Sequence, residues 1–126
     1  MNLGEYIKSA TGRKFEWGNH DCSTFCAHWV FSNTDYDPMH DIWGRYNDEQ
    51  SARDFILQNG GLLELWAKNM GVYTSSPIEG AIGVLDIAGE HMMGIFTGER
   101  WILLMGSGIK AIRLPSAKIA RAWNIG

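Results

Sequence analysis

The hydrophobic pattern divides the chain near Pro77 into a helical part and a β-rich part. Before this proline, apolar residues recur at helical spacing, and the pattern predicts helices over residues 3–9, 22–31 and 62–70, and another that begins at residue 48 or 49 and ends at residue 58. After it, short apolar runs predict strands over residues 81–86, 92–97, 100–105 and 109–114, with a fifth at 120–125. Short glycine-containing connections between these runs favour antiparallel hairpins. Helices followed by a meander predict an α+β fold.

The second predicted helix has the most complete apolar stripe in the chain. Its apolar residues follow the spacing i, i+3, i+4, i+7 and i+8, and they are Cys22, Phe25, Cys26, Trp29 and Val30. Asp21 precedes the stripe and is a favourable N-cap residue. The pattern therefore predicts a buried helix that begins at Cys22. Residues 33–48, rich in Asn, Asp, Gly and aromatic residues, are interpreted mostly as a loop.

Composition and charge exclude several classes of partner. The chain has 126 residues, of which 45% are hydrophobic and 20% charged, as is ordinary for one globular domain over residues 1–126. A net charge of −3 without a basic stripe argues against nucleic acid. No apolar run is long enough to span a bilayer, so no membrane insertion is expected. The N-terminus lacks the features of a signal peptide.

Cys22 is the strongest candidate for chemistry because of its position at a helix start. A helix N-terminus favours the thiolate, so we expect a lowered thiol pKa, and its free N–H groups can stabilise an oxyanion. Trp17 and Gly18 upstream offer an aromatic wall and a point of close approach. The alternative is that Cys22 is a small apolar residue in the buried stripe. Cys26 lies one helical turn deeper, and a bridge between the two would be strained, so both are expected to be free thiols.

In four segments, residues 15–25, 80–85, 91–98 and 121–123, the chain resembles a known papain-like family, the NlpC-type cell-wall cysteine peptidases. Residues 15–25 (FEWGNHDCSTF) resemble the family's nucleophile segment, in which an aromatic-x-Trp-Gly stretch leads to Asp-Cys-Ser-Gly-Phe. Residues 80–85 (GAIGVL) and 91–98 (HMMGIFTG) resemble its Gly-Asp strand and its following His-Val-Gly-Ile strand. The closing residues 121–123 (RAW) resemble small phage-encoded members found among tail genes.

The resemblance implies a fold, an activity and a biological setting. The fold would place N-terminal helices, with the nucleophile helix among them, on a small curled antiparallel sheet. Cys22 would be the nucleophile and His91 the base of a hydrolase that cleaves peptidoglycan peptide bonds through an acyl-enzyme. Possible supporting residues are Trp17, Asp21, His20 and Ser23. No cofactor and no metal is expected. The partner would be a peptidoglycan peptide or a phage tail hub protein. The protein would be located in the virion, or in the host cytoplasm before assembly.

The chain departs from the family pattern in several places, most of them in the β-rich half. The family histidine stands two positions before the strand glycine, where this chain has Met92, and His91 lies one residue earlier. Because strand side chains alternate, His91 is expected to point away from Cys22 unless a bulge at residues 89–90 corrects it. Ala81 replaces the family's aspartate, and Phe15 stands where the family often has a tyrosine. Residues 101–105 offer no polar group to orient the histidine, and Ser107 is a poor substitute.

Other histidines and other functional classes stay open. His20, two residues before Cys22, is either a base that approaches the thiol or a solvated loop residue, whereas His28 faces the opposite side of the helix. His40 lies in a loop. Residues 20–22 and Cys26 include zinc-binding types, but without the paired spacing of a structural zinc site. Three classes remain, namely a hydrolase, a non-catalytic descendant in a phage tail tip, and an unrelated thiol-dependent acyltransferase.

Overall fold

The computed structural model describes residues 1–125, and over this part four α-helices precede a five-stranded sheet. The helices are Leu3–Ala10 (α1), Cys22–Thr34 (α2), Glu49–Gln58 (α3) and Leu62–Asn69 (α4). The strands are Ile82–Ile87 (β1), Glu90–Phe96 (β2), Trp101–Met105 (β3), Gly108–Ile112 (β4) and Ile119–Trp123 (β5), with a short 3-10 helix at Ser116–Lys118. The predicted α+β class is confirmed.

The sheet is antiparallel throughout, with strand order β4-β3-β2-β1-β5. The first four strands form the predicted meander, and β5 returns beside β1. β1 pairs with β2 along its whole length, whereas β3 pairs with β2 only at Ile95↔Ile102 and Phe96↔Trp101. The beginning of β2 is therefore flanked by β1 and not by β3.

The two faces of the sheet bury different sets of residues. Val84 and Met93, which are opposite each other, belong to the main core together with Phe25 of α2 and Trp66 of α4. The other face carries a smaller cluster of Leu85, Trp101, Leu103 and Ala122, against which Met92 and Phe96 pack. Alternate residues of β1 and β2 thus face the helices, as strand geometry requires.

The start of α2 is held by a buried carboxylate. Asp21 is 1% exposed, and its side chain accepts hydrogen bonds from the N–H of Gly18 (2.8 Å), the N–H of Thr24 (2.9 Å) and the Tyr46 hydroxyl (2.9 Å). The Thr24 hydroxyl in turn accepts from the N–H of Asp21, which completes a capping box. The sequence correctly predicted both this cap and the first residue of the helix. α2 extends three residues beyond the predicted end, to Thr34.

The β1–β2 hairpin turns on two residues. Ile87 pairs with Glu90, and Ala88 and Gly89 both adopt positive φ, at 52° and 82°. A two-residue turn with positive φ at both positions has a backbone twist that matches the twist of the two flanking antiparallel strands. β2 therefore begins at Glu90, two residues earlier than the sequence predicted, and His91 lies within the strand.

Replacing Asp21 by alanine is expected to lower the free energy of unfolding by about 3 kcal/mol or more, because three donors lose one shared acceptor. Asp48→Ala is the matched control: Asp48 caps α3 with the same kind of box, through Ser51, but at an exposed helix start where water replaces the carboxylate. Urea unfolding of the two variants measures the difference. Equal losses would contradict the central role of the Asp21 carboxylate.

Candidate functional site

Cys22 is the first residue of α2 and packs against the main core beside β2. Burial raises the pKa of its thiol to about 11; the nearby backbone of Met93 lowers this pKa, and the Asp21 carboxylate raises it. The expectation that the helix N-terminus lowers this pKa is wrong, because desolvation of the sulfur outweighs the helix end. In the free protein Cys22 is therefore a neutral thiol. Cys22 and Cys26 are both free cysteines, as predicted.

The segment before Cys22 is shaped by contacts with residues 46 and 47. Gly18 has φ of 83°, and an added Cβ would collide with the carbonyl oxygen of Tyr46. The glycine is thus required for a close approach, although the partner is backbone and not a ligand. Trp17 is half-buried and meets Phe15 edge to face, with ring centroids 5.0 Å apart. Trp17 therefore covers part of the core next to the start of α2.

His91 lies on the side of β2 that faces the helices. Its strand partner is Asp86, and it shares its face of β2 with Met93 and Ile95, both of which belong to the main core. The expectation that His91 points away from Cys22 is therefore wrong; Met92 is the residue that packs on the opposite face. His91 is exposed, and within residues 1–125 no hydrogen bond joins a histidine ring to the Cys22 thiol.

His20 is neither a solvated loop residue nor hydrogen-bonded to the thiol. The residue is 3% exposed, and no partner for its Nε2 is found among residues 1–125. Burial lowers the pKa of its imidazole, and the nearby Arg13 charge lowers it further. His20 is thus a neutral core residue. The expectation of a solvated side chain overlooked the tight turn in which the N–H of Glu16 donates to the His20 carbonyl oxygen and directs the ring inward.

The remaining sequence candidates are Ser23 in the first turn of α2, His28 further along this helix, and His40 in the loop that follows it. Ser23 is buried and borders a small apolar cavity that Tyr46 and Trp66 also line. His28 faces Trp43 and stacks on its ring, with centroids 5.2 Å apart. Burial lowers the pKa of His28, and the Arg13 charge lowers it further. Neither the His28 ring nor that of His40, which contacts the carbonyl oxygen of Asp37, is hydrogen-bonded to Cys22.

Asp86 is a candidate that sequence reasoning missed. It lies directly opposite His91, and its Oδ1 is buried without a hydrogen-bond partner in the described part of the chain. The available signal was a single carboxylate in the otherwise apolar strand segment of residues 82–87 (IGVLDI). An aspartate in such a run is uncommon, because a buried charge is costly unless it is paired.

Residues 1–125 contain neither a metal-binding cluster nor a membrane-spanning helix. No group of three or more His, Cys, Asp or Glu side chains is close enough to hold a metal ion there. No helix of this part is long and apolar enough to cross a membrane.

The fold and site describe an α+β protein with a neutral thiol at the start of a buried helix and a histidine on the strand surface that faces this helix. Residues 1–125 match the family described as a domain of unknown function, DUF6950, and the chain belongs to this family. No curated protein and no solved structure matches the chain.

Alkylation of Cys22 by iodoacetamide is expected to be slow near neutral pH and to rise about tenfold per pH unit until the pH approaches the thiol pKa of about 11. The alkylation rate rises with pH because only the thiolate reacts, and the raised pKa keeps Cys22 protonated near neutral pH. Mass spectrometry of the tryptic peptide gives the rate, a cysteine in a short unstructured peptide serves as the reference, and Cys26→Ala removes the second thiol. Rapid labelling below neutral pH would mean an activated thiolate.

Proposed function

We propose that this chain is a phage-associated cysteine hydrolase with a papain-like NlpC-type fold, which cleaves a peptide bond in peptidoglycan. One observation carries the proposal: the surface of β2 that packs on the Cys22 helix also carries His91. The resemblance of residues 15–25 to the nucleophile segment of that family supports the same assignment. As a tail component, the protein would meet its substrate from the virion, after assembly in the host cytoplasm.

The raised pKa of Cys22 defines the first chemical step. Because the thiol is neutral, His91 must accept the Sγ proton while the sulfur attacks the amide carbonyl carbon. The exposed His91 ring turns onto the thiol when substrate binds beside the start of α2, since catalytic hydrogen bonds often form only in the complex. The resulting imidazolium gives its proton to the leaving amine as the C–N bond breaks.

The start of α2 also supplies donors for the oxyanion. Helix geometry leaves the N–H groups of Cys22 and Ser23 without a helical partner, whereas the N–H of Thr24 is already bonded to Asp21. These two N–H groups stabilise the tetrahedral intermediate. Water then attacks the Cys22 thioester, its proton passes to His91, and return of that proton to the sulfur restores the neutral thiol. The reaction needs no metal ion and no cofactor.

The second candidate is a non-catalytic member of the same fold that serves as a structural part of a phage tail tip. Two observations favour it: the thiol pKa is raised to about 11, and no histidine ring in residues 1–125 is hydrogen-bonded to Cys22. Such a component would contact tail hub proteins. The exposed apolar side chains of Val72, Tyr73 and Ile78 are available for that contact.

Peptidoglycan turnover distinguishes the two candidates. The wild type is expected to release peptides from purified sacculi, Cys22→Ala to release none, and His91→Ala to be slower by about 100-fold or more. His40→Ala is the matched control, because His40 is exposed and its ring lies beside the Tyr36 ring and the Asp37 carbonyl oxygen, away from Cys22.

Urea unfolding of each variant serves as the control for folding. A loss of turnover in a folded variant can then be attributed to the loss of a catalytic group. A folded wild type that releases nothing would contradict the hydrolase and favour the structural component. A His40→Ala variant as impaired as His91→Ala would contradict the role of His91 as the base.

A further inference from the structure

The carboxyl group of Asp86 is incompletely satisfied. Its Oδ1 is buried and has no hydrogen-bond partner within residues 1–125. The buried carboxylate of Asp21, in contrast, accepts three hydrogen bonds. Buried carboxylate oxygens are nearly always paired, and an unpaired one indicates either a functional role or a partner that joins in another state. A donor for Asp86 is therefore expected close by.

His91 is the donor that the sheet places opposite Asp86. The two residues are direct partners in the β1–β2 ladder, and their side chains project from the same face. Directly opposite residues of an antiparallel pair have Cβ atoms about 4.5–5.5 Å apart. This distance allows an imidazole N–H to reach a carboxylate by side-chain rotation alone. Val84 and Met93, the next pair on this face, are apolar and offer no donor.

The pairing of β2 excludes a partner from the following strand. β3 pairs with β2 only near Ile95 and Phe96, so no β3 residue is paired beside His91. A polar residue that orients His91 from a neighbouring strand must therefore come from β1. Asp86 is the residue of β1 at that position.

We propose that Asp86 is a positioning residue that accepts a hydrogen bond from one ring nitrogen of His91. This contact fixes the tautomer, because the nitrogen that faces Asp86 carries the proton and the other is left as the base for the Cys22 thiol. The inference rests on the proposed hydrolase function for its purpose. The Asp86–His91 contact itself can be measured without any substrate.

Nitrogen-15 NMR of the imidazole groups in the full chain, at mildly alkaline pH where an unperturbed imidazole is neutral, reports the tautomer. In the wild type the two His91 ring nitrogens are expected to have widely separated shifts, as one dominant tautomer requires. In Asp86→Ala the two shifts are expected to move to the values of a solvated histidine in a short peptide, in which both neutral tautomers are populated. Asp86→Asn, which keeps an acceptor oxygen, restores part of the separation. His91→Gln assigns the signals.

Glu90→Ala is the matched control, since it removes the carboxylate next to His91 in the chain while leaving Asp86 in place. Identical His91 shifts in wild type and Asp86→Ala, or an equal change in Glu90→Ala, would overturn the proposal. Turnover on sacculi separates this proposal from the hydrolase function. If the tautomer depends on Asp86 but the protein shows no turnover, the Asp86–His91 contact is supported and the hydrolase function is refuted. If the protein shows turnover but the tautomer does not depend on Asp86, the hydrolase function is supported and the contact is refuted.

Discussion

The carboxylate of Asp21 joins the turn before α2, the first turn of that helix and a loop residue 25 positions further along the chain. It binds the turn at Gly18, the first turn of α2 at Thr24 and the loop residue Tyr46. These contacts determine where α2 begins and hence where Cys22 lies. The same charge also raises the pKa of the Cys22 thiol, as a smaller effect than burial. The interaction that positions the candidate nucleophile therefore helps to keep it protonated in the free protein.

The second constraint is the register between β1 and β2. Because the hairpin turns on Ala88 and Gly89, His91 lies on the surface that faces the helices, and Asp86 lies directly opposite it. A shift by one residue would exchange His91 for Met92 and remove any imidazole from that surface. Together, the cap of α2 and this register bring a thiol, an imidazole and a carboxylate to one side of the sheet. In the hydrolase proposal, substrate binding closes the remaining gap between thiol and imidazole.

Local signals predicted much of the fold. The start of α2 followed from apolar spacing combined with the N-cap residue Asp21, whose effect depends on a few neighbouring residues. The beginning of β2 was mispredicted because Ala88 has positive φ, which a residue with a Cβ rarely adopts and no sequence rule indicated. The wrong orientation for His91 has a different cause, because it was inferred from the family's spacing between histidine and strand glycine, which this chain does not share. The papain-like arrangement and the phage setting stay predictions.

The electrostatic properties of the site could not be predicted in the same way. The pKa of Cys22 depends on its burial against β2, which is some seventy residues away in sequence, so a rule about helix ends alone gave the wrong sign. The burial of His20 likewise follows from a turn that directs its ring into the core. Asp86 was overlooked because its importance appears only once its cross-strand partner is known.

The central claim, that Cys22 and His91 act together as nucleophile and base, is tested most directly by trapping the acyl-enzyme. The protein is mixed with an excess of peptidoglycan fragments, quenched in acid and analysed by intact mass. The account predicts an added acyl mass that maps to the Cys22 peptide in the wild type and is absent from His91→Ala. An unmodified wild type under saturating substrate, or the same adduct without His91, would contradict it.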